Sequence, residues 1–231
     1  MNVLALDTTL GACSAAVARG EPDAPDTTGA FELREREHAE AIIPMIEHVL
    51  TDAGIGYEDL DAIAVTTGPG SFTGVRVGIA TARGLALALD LPLIGATSLE
   101  VMARKALEKI NDAPDVLGVV VDARRGQVYM AVFDGSGSTR SVPEALTPER
   151  AVTRLPEGGH TVLVGGGAEL VRQASADPKA LQVVLPDLQP DAQMLARMAM
   201  TRTPEREPLR PLYLRPPDAK PQSGKAIPRR D

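Results

Sequence analysis

Residues 62–89, with the sequence AIAVTTGPGSFTGVRVGIATARGLALAL, decide how the rest of the chain is organised. A short run of β-prone apolar residues ends at a Gly-Pro-Gly tripeptide, which stops a strand, and Ser71 or Thr73 can then cap a long apolar helix. The stretch therefore predicts a strand, a glycine-rich turn and a helix. Free N–H groups at such a turn suit an anion, but the same features make an ordinary strand-to-helix connection, which we favour.

The predicted helix has a face of small residues. Gly74, Gly78, Ala82 and Ala86 recur at every fourth position and therefore lie along one side of the helix. A glycine inside a helix costs about 1 kcal/mol relative to alanine, so close packing against this side must offset the loss. The packing partner is either the protein's own sheet or a helix from another subunit, and the sequence leaves both open.

Composition limits the classes of function. The 231 residues suffice for two modest domains or one large domain. With three Phe, three Tyr and no Trp, the core must consist mainly of Ala, Val, Leu and Ile, and stacking on exposed bases is not expected to be the main activity. The net charge of -7 also argues against a free-standing nucleic-acid binder.

The sequence favours a soluble protein of the reducing cytoplasm. Cys13 is the single cysteine, so no internal disulfide or cysteine-rich zinc site can form. The first residues have neither a basic region nor a long apolar run, so no signal peptide is expected. The most apolar window, residues 75–96, is interrupted by Arg76, Arg83 and Asp90. Charges near the centre of a membrane span are expensive, so we expect no membrane contact.

The predicted elements follow the order β-β-β-α-β-α-β-α in the first half, before a linker at residues 111–115. Pro44 falls inside the predicted helix 38–53 and is expected to kink or restart it. Thr97 and Glu100 form a capping box for a helix that ends near Ile110. The other predicted elements are strands at 3–6, 13–18, 31–33, 93–96, 116–121, 128–133 and 161–164, a polar loop at 21–30, and helices that begin at Thr147, after the glycines 165–167, and at Asp191.

The composition changes at Arg202. From there to Asp231 the chain has seven prolines, and eight basic residues against four acidic ones give a net charge of +4. Residues 209–214 are expected to dock on the body of the protein. Residues 216–231 are predicted to be a Pro-rich basic tail without fixed structure, and contact of this tail with RNA is the less favoured alternative.

The three histidines do not predict a metal site. His38 and His48 are ten residues apart, hence about 15 Å along one helix, which is too far to share an ion. Ser71 has the strand-to-helix position of a hydrolase nucleophile. Its neighbours do not form Gly-x-Ser-x-Gly, however, and only His160 could serve as the base, so a serine hydrolase is a disfavoured third hypothesis.

Some residues that follow predicted strands are candidates for a nucleotide site. Asp7 and Asp122 each end a predicted strand, and the predicted strand 161–164 runs into the glycines at 165–167. In a cleft between two domains these groups could surround a nucleotide, with one aspartate near magnesium. An aspartate that ends a buried strand is more often a turn former or a helix cap. The candidate residues are Asp7, Thr8, Asp122, Gly165 and Gly166.

Five motifs follow one another along the chain. They are Asp7-Thr-Thr, Arg36-Glu-His38 with Ile43-Pro44, the glycine motif at residues 68–78, Asp122-Ala-Arg-Arg-Gly-Gln-Val-Tyr129, and Leu212-Tyr-Leu-Arg215. Together they resemble the bacterial TsaB family, formerly called YeaZ, nearly end to end, and the glycine motif is highly specific.

The resemblance implies an α/β fold of the actin, sugar kinase and Hsp70 type, which is ribonuclease H-like and has two domains of related topology. Residues 1–110 would form the first domain, with the partner-binding helices. Residues 111–215 would form a smaller second domain, whose last helix can return to the first.

The resemblance also implies a role in making threonylcarbamoyladenosine on tRNA, next to the anticodon. In that system the paralogue TsaD holds the metal and transfers the threonylcarbamoyl group from its adenylate to an adenosine amine, and TsaE is an ATPase partner. A TsaB-like chain is then a non-catalytic platform subunit, glycoprotease-like in the older naming. It would pair with TsaD, form a homodimer when TsaD is absent, and meet tRNA only through the complex.

In the resembling family, the helix at 38–53 and the glycine-rich helix make the contact with TsaD. Asp7-Thr-Thr departs from the Asp-x-Gly-Thr phosphate motif of active superfamily members, because a side chain stands where the backbone should approach a phosphate. We therefore expect no catalytic residue, metal or cofactor in this chain. ATP or ADP with magnesium belongs to the alternative hypothesis, a sugar-kinase-like phosphotransferase. The implied interface residues are Ile42, Met45, Ile46, Val75, Gly78, Ile79 and Ala82.

Overall fold

A computed structural model describes residues 1–34, 36–204 and 207–215. The first half contains the strands β1 (Asn2–Asp7), β2 (Ala12–Arg19), β3 (Asp26–Leu33), β4 (Ala62–Thr66) and β5 (Leu93–Ala96), and the helices α1 (His38–Ala53), α2 (Phe72–Leu89) and α3 (Ser98–Lys109). The second half contains β6 (Val116–Asp122), β7 (Val128–Asp134), β8 (Thr139–Leu146), β9 (Thr161–Val164) and β10 (Leu181–Val184), and the helices α4 (Pro148–Val152), α5 (Ala168–Ala174) and α6 (Ala192–Ala199).

The strands form two sheets with the same connectivity. The first has the order β3-β2-β1-β4-β5, and the second, read from its far edge, has the order β8-β7-β6-β9-β10. In each sheet the first three strands form an antiparallel meander, and the last two lie parallel to the first strand. The α/β fold with two halves of related topology is therefore confirmed.

Both faces of the first sheet are covered by helices. Leu4 and Leu6 point to one face, where α1 and α2 pack. Val3 and Ala5 point to the opposite face, where α6 packs. Because successive strand residues alternate between faces, a strand covered on both sides must be apolar throughout, and residues 3–6 of β1 are.

Two helices are exchanged between the halves. α3 follows the first sheet in the chain, yet Leu99 and Met102 pack on the second sheet. α6 follows the second sheet and packs on the first. The Lys105 ammonium on α3 lies 2.8 Å from the carboxylate of Asp191, the N-cap of α6. This exchange ties the two sheets together.

The core has the predicted composition of Ala, Val, Leu and Ile. Phe133 is the one aromatic residue among its largest fully buried side chains. The predicted helix caps are also confirmed: Ser71 accepts from the Gly74 N–H, and Thr97 and Glu100 form the capping box.

Three strands were predicted wrongly, and so was a restart of α1 at Pro44. β3 begins at Asp26 inside the predicted loop, and β8 and β10 were missed. All three are edge strands with largely exposed or half-buried side chains, so they lack the apolar signal of a buried strand. α1 is one uninterrupted helix. Pro44 does not restart the helix, because it lies on the exposed side, where water can solvate the carbonyl that loses its N–H partner; a kink at Pro44 stays a prediction.

The C-terminal segment, residues 207–215, docks as expected. Leu209 is buried, and a Cβ atom at Gly95 would lie only 2.6 Å from its side chain. The Leu212 N–H donates to the Thr67 carbonyl at 2.8 Å. The tail predicted at 216–231 lies outside the described residues.

Candidate functional site

The turn between β1 and β2 meets the start of α2 at the centre of the first half. The Ser71 N–H donates to the Thr9 carbonyl at 2.7 Å, and the Thr8 hydroxyl donates to the Gly74 carbonyl at 2.7 Å. The Ser98 hydroxyl donates to the Pro69 carbonyl at 2.5 Å from the opposite side. The glycine-rich turn is therefore a packed connection between elements, which is the alternative favoured over an anion site.

The small-residue face of α2 packs inside the subunit. A Cβ atom at Gly74 would overlap the Thr8 carbonyl oxygen, and one at Gly78 would lie 2.7 Å from the Thr8 hydroxyl oxygen. Ala82 and Ala86 are buried in the core that α2 shares with α1 and the sheet. Of the two partners left open by the sequence, this face therefore contacts the protein's own sheet and turn.

Asp7 lies in a buried polar cluster beneath that turn. Its side chain is 0% exposed, and its Oδ1 atom accepts from the hydroxyls of Thr9 and Thr66. Burial raises the pKa of this carboxyl, although the two hydroxyls and the neighbouring His38 act in the opposite direction. Asp7 Oδ2 and His38 Nε2 are buried without a hydrogen-bond partner among the described residues.

The candidate nucleotide residues separate into two groups. Asp7 and Thr8 are fully buried under α2 and present no surface to a nucleotide. Asp122 lies close to the turn formed by the glycines 165–167 in the second half. There the Gly167 N–H donates to the Val120 carbonyl at 3.0 Å. Asp122 accepts from the Arg124 N–H at 2.7 Å, which is the geometry of a turn former.

The hydrolase candidates are not brought together. The Ser71 hydroxyl caps α2, whereas the His160 ring bonds to Gln182 at the second sheet. Within residues 1–34, 36–204 and 207–215, no three side chains of His, Cys, Asp or Glu are grouped as a metal site would require.

Most of the residues implied as partner contacts lie inside the subunit. Six of the seven are buried, and Met45 is half-buried. These six side chains therefore pack in the core of this subunit, and their part in a partner contact stays a prediction. The buried six are Ile42, Ile46, Val75, Gly78, Ile79 and Ala82.

The outer faces of α1 and α2, which point away from the sheet, lie side by side, because the two helices are neighbours on one face of the sheet. Leu87 is 86% exposed, more than any other large apolar side chain that the structure describes. Ile43 is 41% exposed. Ala80, Gly84 and Ala88 are also exposed at this outer surface, and no atom lies within 4 Å of the position that a Cβ at Gly84 would take.

α2 alone among the described helices has the length and composition of a membrane span. Six of its residues are buried against the subunit's own sheet and α1, and it carries Arg76 and Arg83. A single helix that meets this criterion is weak evidence for a membrane span.

Sequence reasoning missed the side chains that hold the C-terminal segment. Arg76 donates to the Tyr213 hydroxyl at 2.6 Å, and Arg215 donates to the Ala123 carbonyl. Only the motif Leu212-Tyr-Leu-Arg215 pointed to these contacts. The motif follows several prolines and has neither helix nor strand periodicity, so it did not predict where its side chains lie.

Comparison with known proteins agrees with the motifs. The profile of the family "TsaD: tRNA N6-adenosine threonylcarbamoyltransferase" matches residues 32–189. The Escherichia coli tRNA threonylcarbamoyladenosine biosynthesis protein TsaB is 37% identical over 226 residues, which cover 93% of this chain and 95% of that protein. The chain belongs to the TsaB family.

Solved structures support the same assignment. A Pseudomonas aeruginosa protein described as similar to peptidase YeaZ has a TM-score of 0.80 and 29% identity, and the match covers 93% of this chain and 99% of that one. YeaZ from the same organism has a TM-score of 0.74 and 30% identity, with coverage of 86% and 90%. The resemblance to TsaB stated from the motifs is thus confirmed.

The TsaB motifs converge in three dimensions. Asp7-Thr-Thr, His38 and the glycine motif meet at the junction of β1 and α2, and the last motif binds both α2 and the turn after β6. In this TsaB-family chain the motif residues thus join β1, α2, the turn after β6 and the C-terminal segment.

Proposed function

We propose that this chain is a non-catalytic platform subunit in tRNA threonylcarbamoyladenosine biosynthesis. It pairs with a TsaD-like paralogue, which transfers the threonylcarbamoyl group from its adenylate to an adenosine next to the anticodon of tRNA. The E. coli relative carries the name of this pathway, and the matching family profile is that of the transferase.

The observation that carries the pairing is the exposed surface of α1 and α2. A glycine in the middle of a helix destabilises it, and Gly84 has no internal neighbour that requires the absence of a side chain. Leu87 lies one helical turn after Gly84 and is exposed. In an isolated subunit a polar residue would be more favourable at this position. Close approach of a partner helix accounts for both features, since small residues let backbones approach and leucine supplies apolar contact.

The absence of catalysis in this subunit is proposed from the junction of β1 and α2. Active members of the fold need backbone that can approach a phosphate at the first turn, and here Thr8 and Gly74 fill that space. The buried Asp7 carboxylate is directed to the hydroxyls of Thr9 and Thr66. This arrangement favours a structural role over a sugar-kinase-like phosphotransferase.

The remaining parts of the proposal concern assembly. The complex includes a TsaE-like ATPase and acts in the cytoplasm, and this chain meets tRNA only through the complex. When the paralogue is absent, two copies of this chain pair through the same outer surface of α1 and α2.

Reconstitution tests the proposed function. The purified chain, the TsaD-like paralogue from the same genome and their mixture are each incubated with threonylcarbamoyl-adenylate, the TsaE-like ATPase, ATP and unmodified tRNA. We expect modified adenosine with the mixture and none with this chain alone. Modification by this chain without the paralogue, or a mixture no more active than the paralogue alone, would contradict the proposal.

A further inference from the structure

An exposed group of aromatic and arginine side chains lies at the start of α2. The rings of Phe72 and Tyr213 stack with their centroids 5.8 Å apart and their planes at 27°. The Arg76 guanidinium lies 3.5 Å from the centroid of the Phe72 ring. Phe72 is 52% exposed and Tyr213 is 47% exposed, so about half of each residue's surface remains open to solvent.

The group continues onto the second sheet through the C-terminal segment. The Arg215 guanidinium lies 5.3 Å from the centroid of the Tyr129 ring and also binds the Ala123 carbonyl. The next residue, Arg124, has a side chain that is 85% exposed. We call this set, Phe72, Arg76, Tyr129, Tyr213 and Arg215, the aromatic ridge. It holds three of the chain's six Phe and Tyr residues.

The ridge is a basic surface on an acidic protein. The whole chain has a net charge of -7, but the ridge carries two arginines, and Arg124 adjoins it. The Asp122 carboxylate offsets Arg124 at 3.4 Å. Beyond Arg215 the sequence continues with four basic residues, Lys220, Lys225, Arg229 and Arg230, against two acidic ones, Asp218 and Asp231.

Arg76 and Arg215 help to hold the C-terminal segment, but this role does not require the exposed ring of Phe72. Leu209 is buried, and the hydrogen bond from Leu212 to Thr67 already anchors the segment. Stacked aromatic rings with adjacent guanidinium groups are the features with which proteins bind single-stranded nucleic acid, since rings stack on bases and arginines pair with phosphates.

We propose that the aromatic ridge binds a single-stranded segment of RNA. An exposed ring face of the Phe72 and Tyr213 pair stacks on an unpaired base, and Arg76 and Arg215 contact the flanking phosphates. The identity of the RNA as tRNA rests on the proposed function, whereas the ridge itself is assigned from its side chains. Because the rest of the chain is acidic, the ridge adds to the RNA affinity of the assembled complex and binds only weakly alone.

Fluorescence anisotropy tests the proposal. The full chain, alone and in complex with its paralogue, is titrated into a labelled tRNA anticodon arm and into a blunt RNA duplex. Phe72→Leu should weaken binding of the anticodon arm about fivefold or more, as expected for loss of one stacked base. Phe31→Leu is the matched control, because Phe31 is 44% exposed on the edge strand β3, and it should leave the affinity within about twofold.

The arginine contact is tested by salt dependence. Arg76→Gln should reduce the slope of log affinity against log salt by about 0.7, the value for one phosphate contact in a single strand. Arg140→Gln, an exposed arginine on β8, should leave the slope unchanged. Circular dichroism checks the fold of each variant. If Phe72→Leu unfolds, Arg76→Gln decides the matter.

Equal affinity of the wild type and both ridge variants for the anticodon arm would overturn the proposal, as would failure of the wild-type complex to bind it. Loss of binding to the paralogue with RNA binding retained would identify the ridge as a protein contact instead, which also overturns it. Because RNA binding and paralogue binding are measured separately, failure of this proposal is distinct from failure of the proposed function.

Discussion

Gly74 is buried and Gly84 is exposed in α2, and they illustrate how differently two glycines of one helix can be constrained. A methyl group at Gly74 would overlap the Thr8 carbonyl, whereas a methyl group at Gly84 would meet no atom of the subunit within 4 Å. Gly74→Ala should therefore lower the free energy of unfolding by roughly 1–3 kcal/mol through overpacking. Gly84→Ala should raise it by about 0.5–1 kcal/mol through helix propensity.

Urea denaturation of the two glycine variants, followed by circular dichroism, measures both changes. The pair is internally controlled, since the same substitution is made in the same helix. Equal effects on stability would mean that the packing of Thr8 against α2 does not constrain Gly74.

The Asp7 carboxyl should make stability depend on pH. Burial raises the pKa of Asp7 in the folded state above its value in the unfolded state. The protonated carboxyl therefore stabilises the folded state at pH values below the unfolded-state pKa. This stabilisation is lost as the pH rises through the folded-state pKa. Asp7→Asn keeps an acceptor for the Thr9 and Thr66 hydroxyls and removes the charge. The free energy of unfolding of Asp7→Asn relative to wild type should therefore increase as the pH rises from about 4 to 7.

Denaturation curves of both proteins at several pH values test this expectation. If the difference in free energy of unfolding stays constant over this range, or falls as the pH rises, burial of the ionised Asp7 carboxylate does not lower stability.

At the level of residues, the sequence identified the glycines of α2 but not their contacts. The four-residue spacing is visible in the chain, whereas the Thr8 carbonyl that excludes a side chain at Gly74 comes from a turn more than sixty residues earlier. His38 was likewise placed at the start of a helix, but its position beside Asp7 follows only from the packing of α1 on the sheet.

At the level of elements, the C-terminal segment is predicted to contribute to stability while the residues after it do not. Removal of residues 216–231 should lower the melting temperature by less than about 4 °C, because a Pro-rich polar sequence buries little apolar surface. Removal of residues 207–231 should cost at least about 1.5–3 kcal/mol, the value of burying one leucine, because it also exposes the site of Leu209.

Thermal and urea unfolding of the two truncated proteins distinguish the segments. The shorter truncation serves as the control for the longer one. Equal stability of both would show that the docking of residues 207–215 contributes nothing to the fold.

Elements with strong periodicity were predictable, and the edge strand β5 was predicted at its observed bounds, but the other three edge strands were missed wholly or in part. The apolar positions of α1, α2 and α3 recur at helical spacing because one side of each helix is buried. β3, β8 and β10 have no such constraint, since an edge strand is held by backbone pairing with its neighbour. The register of β3 on β2, for example, is fixed by hydrogen bonds that leave no mark on the sequence.

At the level of the whole molecule, the duplicated topology followed from motifs, but the exchange of α3 and α6 did not. Each of these helices is amphipathic, and the sequence shows which side is apolar without showing which sheet covers it. The same limit applied to the proposed partner surface. The buried sides of α1 and α2 carry the stronger apolar signal, so the residues implied as contacts were mostly core residues, while the exposed surface around Leu87 and Gly84 became apparent only from burial.

The most direct measurement of the central claim is sedimentation velocity of this chain mixed with its TsaD-like paralogue. Leu87→Glu places a charge at the centre of the outer surface of α2, and Val142→Glu makes the same change at another exposed apolar residue, 69% exposed on β8. The account predicts that the wild type and Val142→Glu form the complex, and that Leu87→Glu remains a folded, separate subunit. Association of Leu87→Glu at wild-type affinity would contradict it.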